Sequence, residues 1–153
     1  MVRERLKFYQ SMNKGILPAA ILVYRDGVSE GEYLKMLNEE IPQIQAAWRQ
    51  VKLEPGTPAG QPTVVKVTFV VVGKRHHTRF YPQNPKIPSS ATGSQENCLP
   101  GTTVDRGITS PYEYEWFSQS HKGIQGTTKP THYVVLKDDN LLTPDALQEI
   151  VCI

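Results

Sequence analysis

The segment Gly73-Lys74-Arg75-His76-His77-Thr78-Arg79-Phe80 places three permanent cations and two imidazoles within eight residues. Read with the two-residue period of an extended chain, Arg75, His77 and Arg79 share one face, while Lys74, His76 and Thr78 point the other way. Guanidinium forks bind phosphate oxygens bidentately, and a neutral imidazole still donates one hydrogen bond, so this face suits successive phosphates. The same period separates the adjacent histidines, which argues against their binding one metal as a pair. A second group of donors lies in His121-Lys122-Gly123-Ile124-Gln125-Gly126-Thr127-Thr128-Lys129-Pro130. Its glycines let backbone N–H groups approach a ligand, and Gln125, Thr127 and Lys129 add uncharged and charged phosphate donors. Each segment also has a plain structural reading, a solvated basic edge strand for the first and an ordinary turn for the second.

A carboxylate occupies the third chemically suggestive place. In Tyr24-Arg25-Asp26-Gly27-Val28-Ser29-Glu30-Gly31-Glu32, Asp26 follows an apolar, partly β-branched run over residues 16–23 that reads as a buried strand. An α/β sheet binds its ligands outside the carboxyl ends of its strands, which is where Asp26 falls. Gly27 loosens the turn, and Ser29 followed by Glu32 is a capping box that starts a helix.

The elements that must position these groups follow from pattern. Residues 1–11 have helical composition, broken by Asn13-Lys14-Gly15. Residues 31–51 are amphipathic, with Tyr33, Leu34, Leu37, Ile41, Ile44, Ala47 and Trp48 at helical spacing, and Pro42 is expected to kink or divide them. A Pro/Gly-rich loop over residues 54–62 leads into residues 63–72, apolar on both faces and therefore expected as a central strand. The Pro-, Ser- and Asn-rich stretch 82–99 is given no structure and is expected to be a flexible insertion. Residues 113–120 and 131–136 read as strands, Asp138-Asp139-Asn140 ends the second, and Thr143-Pro144-Asp145 starts a short last helix. Helices alternating with strands define the α/β class.

Composition sets the bounds. A chain of 153 residues with 39% hydrophobic and 21% charged residues can build one domain with a core. No apolar run reaches membrane-spanning length and the first residues are charged, so a soluble, cytoplasmic protein is expected. Cys98 and Cys152 are distant and form no metal-binding pattern, consistent with a reducing compartment. A net charge of +2 argues little by itself, but residues 55–95 contain no Asp or Glu while Lys66, Lys74, Arg75, Arg79 and Lys86 all fall there.

These segments together resemble the PIWI domain of Argonaute proteins. The nonapeptide around Asp26 is similar to the segment carrying that family's second catalytic aspartate. The family also has, in this order, a KRHHTR-type strand, a PGTTVD turn, and an H-x-G-I-Q-G-T loop leading to a strand that ends in Asp-Asp-Asn. Here these are residues 74–79, 100–105, 121–127 and 138–140. The likeness covers nearly the whole chain apart from residues 82–99.

The resemblance implies an RNase H-like fold, incomplete in its first strands and C-terminal helices. It implies binding of a small guide RNA through the phosphates of its 5′ segment and, in slicing members, cleavage of the paired target RNA with two divalent ions, Mg or Mn. By carry-over Asp26 would be a catalytic, metal-ligating carboxylate. Two-metal hydrolysis needs several such ligands; the family's others precede and follow the segment matched here, and Asp138-Asp139 is not among them. The chain alone is therefore expected to hold metal poorly and not to slice. The implied guide contacts are Lys74, Arg75, His77, Arg79, His121, Gln125, Thr127 and Lys129. Lys129 replaces an arginine of animal relatives, keeping charge but losing the fork. Two other readings stand beside this one. PIWI domains take tryptophan side chains of disordered silencing partners into surface pockets, and residues 31–51 lie in the matching region. A different RNase H-like nuclease would need its own set of acids.

Overall fold

The computed structural model describes residues 1–83, 97–123 and 126–151. Five strands, β1 (Ala20–Asp26), β2 (Lys66–Gly73), β3 (Thr103–Val104), β4 (Glu115–Ser118) and β5 (Thr131–Asp138), form one sheet in the order β1-β2-β5-β4-β3. The chain divides into two compact units, Met1–Val70 with Leu136–Leu141, and Val71–Val135 with Leu142–Ile153. Strands β2 and β5 contribute residues to both. Among the described residues no helix is long and apolar enough to cross a membrane.

In the first unit, helix Val2–Met12 ends where Lys14 and Gly15 take positive φ and the Gly15 N–H returns to the Gln10 carbonyl at 2.9 Å. Its buried Leu6 faces inward, while Arg3 and Lys7 both reach Glu54. After β1 the capping box forms as expected, the Glu32 carboxylate accepting from the Ser29 N–H at 3.1 Å and from its hydroxyl at 3.0 Å. That carboxylate is held below its ordinary range by the Ser29 backbone and hydroxyl hydrogen bonds.

Pro42 does divide the amphipathic stretch. A short α-turn, Tyr33–Lys35, passes through a wider π-turn, Met36–Glu40, into helix Ile41–Lys52 with proline in its first turn. Proline has no N–H to return to the preceding turn, and the widened ring of backbone hydrogen bonds accommodates that gap. Met36, Ile41, Ile44, Trp48 and Val51 are buried, but Leu34, expected among the apolar face, is 72% exposed. The Trp48 indole donates to the Pro18 carbonyl at 2.9 Å, fixing this helix to the approach of β1.

The expectation of a buried strand over residues 16–23 is corrected on two counts. The strand is Ala20–Asp26, and it terminates the sheet order, so its side chains are exposed or half-buried. Pro18 lacks an N–H for ladder pairing, and Leu17 is instead fixed by its N–H to Gln61 at 2.8 Å. Asp26 is thus the last strand residue, and Gly27 at φ +77° turns the chain. By contrast β2 has neighbours on both sides and buries Val67, Thr68, Phe69, Val70 and Val71 on both faces, as its pattern requires.

In the second unit, β4 and β5 pair antiparallel with Trp116 opposite Tyr133 and Phe117 opposite His132. Both pairs stack, the first at 4.9 Å and the second at 4.3 Å between ring centroids, one on each face of the ribbon. Strand β3, which no alternation announces in a two-residue element, pairs antiparallel with β4 within the PGTTVD motif. The last helix, Pro144–Ile150, is capped by the Thr143 hydroxyl accepting from Ala146 N–H. Leu147 buries one side of it, and Gln148 donates to both Asp105 (3.1 Å) and the Tyr114 hydroxyl (2.9 Å).

Candidate nucleic-acid interface

Strand β2 ends at Gly73, so the cations of residues 74–79 do not lie on a strand. The alternation argument for this segment is thereby corrected. What orders it is a side chain: the Nε2–H of His76 donates to the Pro130 carbonyl at 2.9 Å. The ring lies edge-on to Phe117, with centroids 5.2 Å apart, and 6.1 Å from His132. With His76 turned inward, Lys74, Arg75 and His77 are exposed and Arg79 is half-buried, one of its N–H groups on the Thr78 carbonyl at 2.8 Å. Phe80 anchors the far end edge-on to Phe117 at 5.9 Å.

Among the described residues, none of Lys74, Arg75, Arg79 or Lys129 pairs with a carboxylate. Arg3 and Lys7 share Glu54, Arg25 holds Glu40 and Lys137 holds Asp139, whereas Arg5, Lys14, Lys35, Arg49, Lys52 and Lys66 likewise pair with no carboxylate among the described residues. Cations without a carboxylate partner keep donors for an external anion, Arg79 all but the one on the Thr78 carbonyl.

The loop before β5 is organised around Asn97, which is fully buried. Its amide N–H donates to the Gly126 carbonyl at 2.9 Å, and its oxygen accepts from the Thr128 N–H at 2.8 Å and the Thr128 hydroxyl at 3.2 Å. Gly126 sits at φ +70°, the left-handed region that costs glycine nothing. His121 and Thr127 are exposed and Lys129 is half-buried; the His121 carbonyl is held by Gln119 at 2.8 Å. Gln125 lies outside the described residues, as does most of the stretch 82–99. The His76–Pro130 bond therefore joins two of the predicted groups, residues 74–79 and 127–129, within one unit.

Asp26 stands apart in the first unit. It is exposed, and its carbonyl accepts from Arg25, whose guanidinium also holds Glu40 at 3.2–3.3 Å. Among the described residues no three His, Cys, Asp or Glu side chains converge on a metal site. Asp138 and Asp139 are engaged structurally: Asp138 accepts from the Thr68 hydroxyl, and Asp139 accepts from the Val67 N–H and from Lys137. The donor set of a two-metal centre is thus not met by these residues, and no chemical step is derived through such ions.

The second unit thus presents cations without carboxylate partners among the described residues beside a glycine-bearing loop, on an α/β sheet. The Piwi domain family model matches residues 1–152, and the chain belongs to that family. It is 43% identical to protein argonaute 18 and 45% identical to protein argonaute MEL1, both of Oryza sativa subsp. japonica, over 98% of this chain and 13% of each relative. Among solved structures, the C-terminal lobe of a budding yeast Argonaute superposes with a TM-score of 0.85 at 38% identity, over 97% of this chain and 30% of that one. Kluyveromyces polysporus Argonaute with a guide RNA gives 0.84 at 38% identity, over 97% of this chain and 18% of that one. Drosophila Piwi gives 0.73 at 29% identity, over 98% of this chain and 18% of that one. The α/β fold is therefore that of Argonaute PIWI lobes, and the chain spans less than a sixth of the length of those two rice relatives.

Sequence reading missed His76 and Asn97. The His76 ring turns inward to the Pro130 carbonyl, and nothing in a local pattern indicates a partner 54 residues away. Asn97 sits in a stretch whose composition reads as loop. A lone polar residue there signals burial only once its distant partners are known.

Proposed function

We propose that this chain binds the 5′ segment of a small guide RNA through its backbone phosphates, as the guide-holding part of an RNA-silencing protein. The observation that supports this reading best is the run of unpaired cations, Lys74, Arg75 and Arg79, joined by the His76–Pro130 bond to the loop bearing Thr127 and Lys129. His77, His121 and Gln125 complete the proposed contacts. Phosphate contacts position a strand without reading its bases, so target recognition would rest on pairing between guide and target RNA. In fluorescence-anisotropy titrations, short single-stranded RNAs of unrelated sequence should bind with affinities within about threefold of one another, since the contacts are electrostatic. Arg75→Ala/Arg79→Ala binding as well as the parent would overturn the reading.

The proposed role is binding rather than cleavage, because Asp26 has no converging partners among the described residues. Divalent-metal-dependent cutting of RNA by the purified chain, lost in Asp26→Ala, would contradict it.

A second reading has one observation in its favour. In the first unit a cleft of about 310 Å³ opens between Gln45, Trp48, Arg49, Lys52, Leu53 and Val64. Lys52 lies 5.3 Å over the Trp48 ring, and Leu53 and Val64 are 82% and 66% exposed. An apolar cleft rimmed by cations suits an indole. A tryptophan-rich silencing peptide should then be retained by the parent and released by Leu53→Asp, whereas equal retention by both would exclude this cleft.

A further inference from the structure

We infer that His76 is a positioning residue of the RNA site: its neutral ring, donating Nε2–H to the Pro130 carbonyl, holds residues 74–79 beside the phosphate-donor loop, and a second proton on that ring undoes the site. The inference rests on the RNA-binding reading and adds a mechanism by which pH controls it.

A carbonyl can only accept, so the 2.9 Å contact fixes the proton on Nε2 and leaves Nδ1 as a bare lone pair. Nδ1 is buried and has no hydrogen-bond partner among the described residues. No other hydrogen bond among them links residues 74–79 to residues 126–130. Beyond the β2–β5 neighbourhood and the Phe80–Phe117 contact, the two stretches are thus tied together by one imidazole in one tautomer.

The charged side chains near that ring, Lys129 and Arg79, resist a second positive charge. Lys129 lies beside Pro130, Arg79 belongs to the same segment, and His132 approaches from β5. Phe117 offers a ring from β4 and no acceptor. The nearby acid, Glu115, is already engaged with Nε2 of His132 at 2.9 Å. Burial foremost, then these cations, hold the His76 pKa below the ordinary histidine value, although the Pro130 hydrogen bond works in the other direction.

The sign follows. With its pKa lowered in the docked state, His76 binds more protons when undocked, so docking weakens as pH falls below the undocked value of 6.5. The loss is complete below the docked value. The RNA phosphates and the other side chains contribute a pH dependence of their own that does not pass through His76. A simple pH profile of RNA affinity would mix the two effects, but a ratio between variants cancels the common one.

The test uses the full chain and short 5′-phosphorylated oligouridylate in anisotropy titrations. His76→Gln places an amide N–H near the Nε2 position but cannot titrate, and His76→Ala removes the donor. Near neutral pH, His76→Ala should bind about tenfold more weakly and with a salt slope lower by roughly one to two phosphates, about 0.7 per phosphate for a single strand. His76→Gln should restore affinity to within about threefold, the residual a non-ideal hydrogen bond leaves. The dissociation-constant ratio of parent to His76→Gln should then rise by up to about tenfold one pH unit below 6.5. Parent affinity in His76→Ala, no rescue by Gln, or a pH-flat ratio would each overturn the inference. Thermal melts identify an unfolded alanine variant, and the glutamine ratio decides in that case. Salt-sensitive binding that needs Arg75 and Arg79 but ignores His76 refutes the inference alone. Binding that ignores all three refutes the RNA reading and this inference with it.

Discussion

One fully buried asparagine amide, Asn97, satisfies three groups of the loop before β5, the Gly126 carbonyl and the Thr128 N–H and hydroxyl. Leaving a buried donor or acceptor unpaired costs about 1–3 kcal/mol. Asn97→Ala removes three hydrogen bonds, each worth about 0.5–1.5 kcal/mol net, so it should destabilise the protein by roughly 2–4 kcal/mol. Urea denaturation measures this, and a loss below about 1 kcal/mol would mean that water replaces the amide in the variant. At this scale the sequence was informative about charge and uninformative about support. Arg75 and Arg79 stand out in the sequence because residues 55–95 hold no Asp or Glu, and neither pairs with a carboxylate among the described residues. The partners of His76 and Asn97 lie 54 and about 30 residues away and belong to tertiary structure.

Strand β2 owes its place to a run of β-branched and aromatic residues with no polar face, and Phe69 at its middle is fully buried. Phe69→Ala removes that ring from a packed site and should cost about 3–5 kcal/mol. Thr143→Ala, which removes the cap of helix Pro144–Ile150, should cost only about 1 kcal/mol. Parallel chemical denaturations of the two variants check the ordering; equal losses would show that Phe69 does not sit in a well-packed core. Elements with strong composition were legible: the central strand, the capping box and the division at Pro42. Register at the edge was not. A run over residues 16–23 looks like a strand by hydrophobicity, but Pro18 and the Gln61 contact at Leu17 move pairing onward to Ala20–Asp26. The two-residue β3 exists only because β4 is there to pair with it. The cations after Gly73 illustrate the same limit, since a backbone that leaves the sheet no longer alternates.

At the scale of the whole molecule, β1 terminates the order of the described strands with exposed or half-buried residues, and a terminal strand is where a second chain can add to a sheet. We predict that the isolated chain associates as its concentration rises in size-exclusion chromatography, and that Val23→Lys on this edge reduces the association. A monomer at every concentration would contradict the prediction. The acid-free window from residue 55 to residue 95 has its largest consequence here as well, because a net charge of only +2 leaves local distribution to direct binding.

The most direct test of the account is the salt dependence of RNA affinity, measured side by side for the parent and for Arg75→Ala/Arg79→Ala. Each phosphate held by a cation releases counterions, adding about 0.7 to the slope of log K against log salt for a single strand. The parent should show a slope of about −2 or steeper, and the double variant a slope shallower by about 1.4. Superimposable lines, or a parent affinity that ignores salt, would contradict the claim that these side chains hold the RNA backbone.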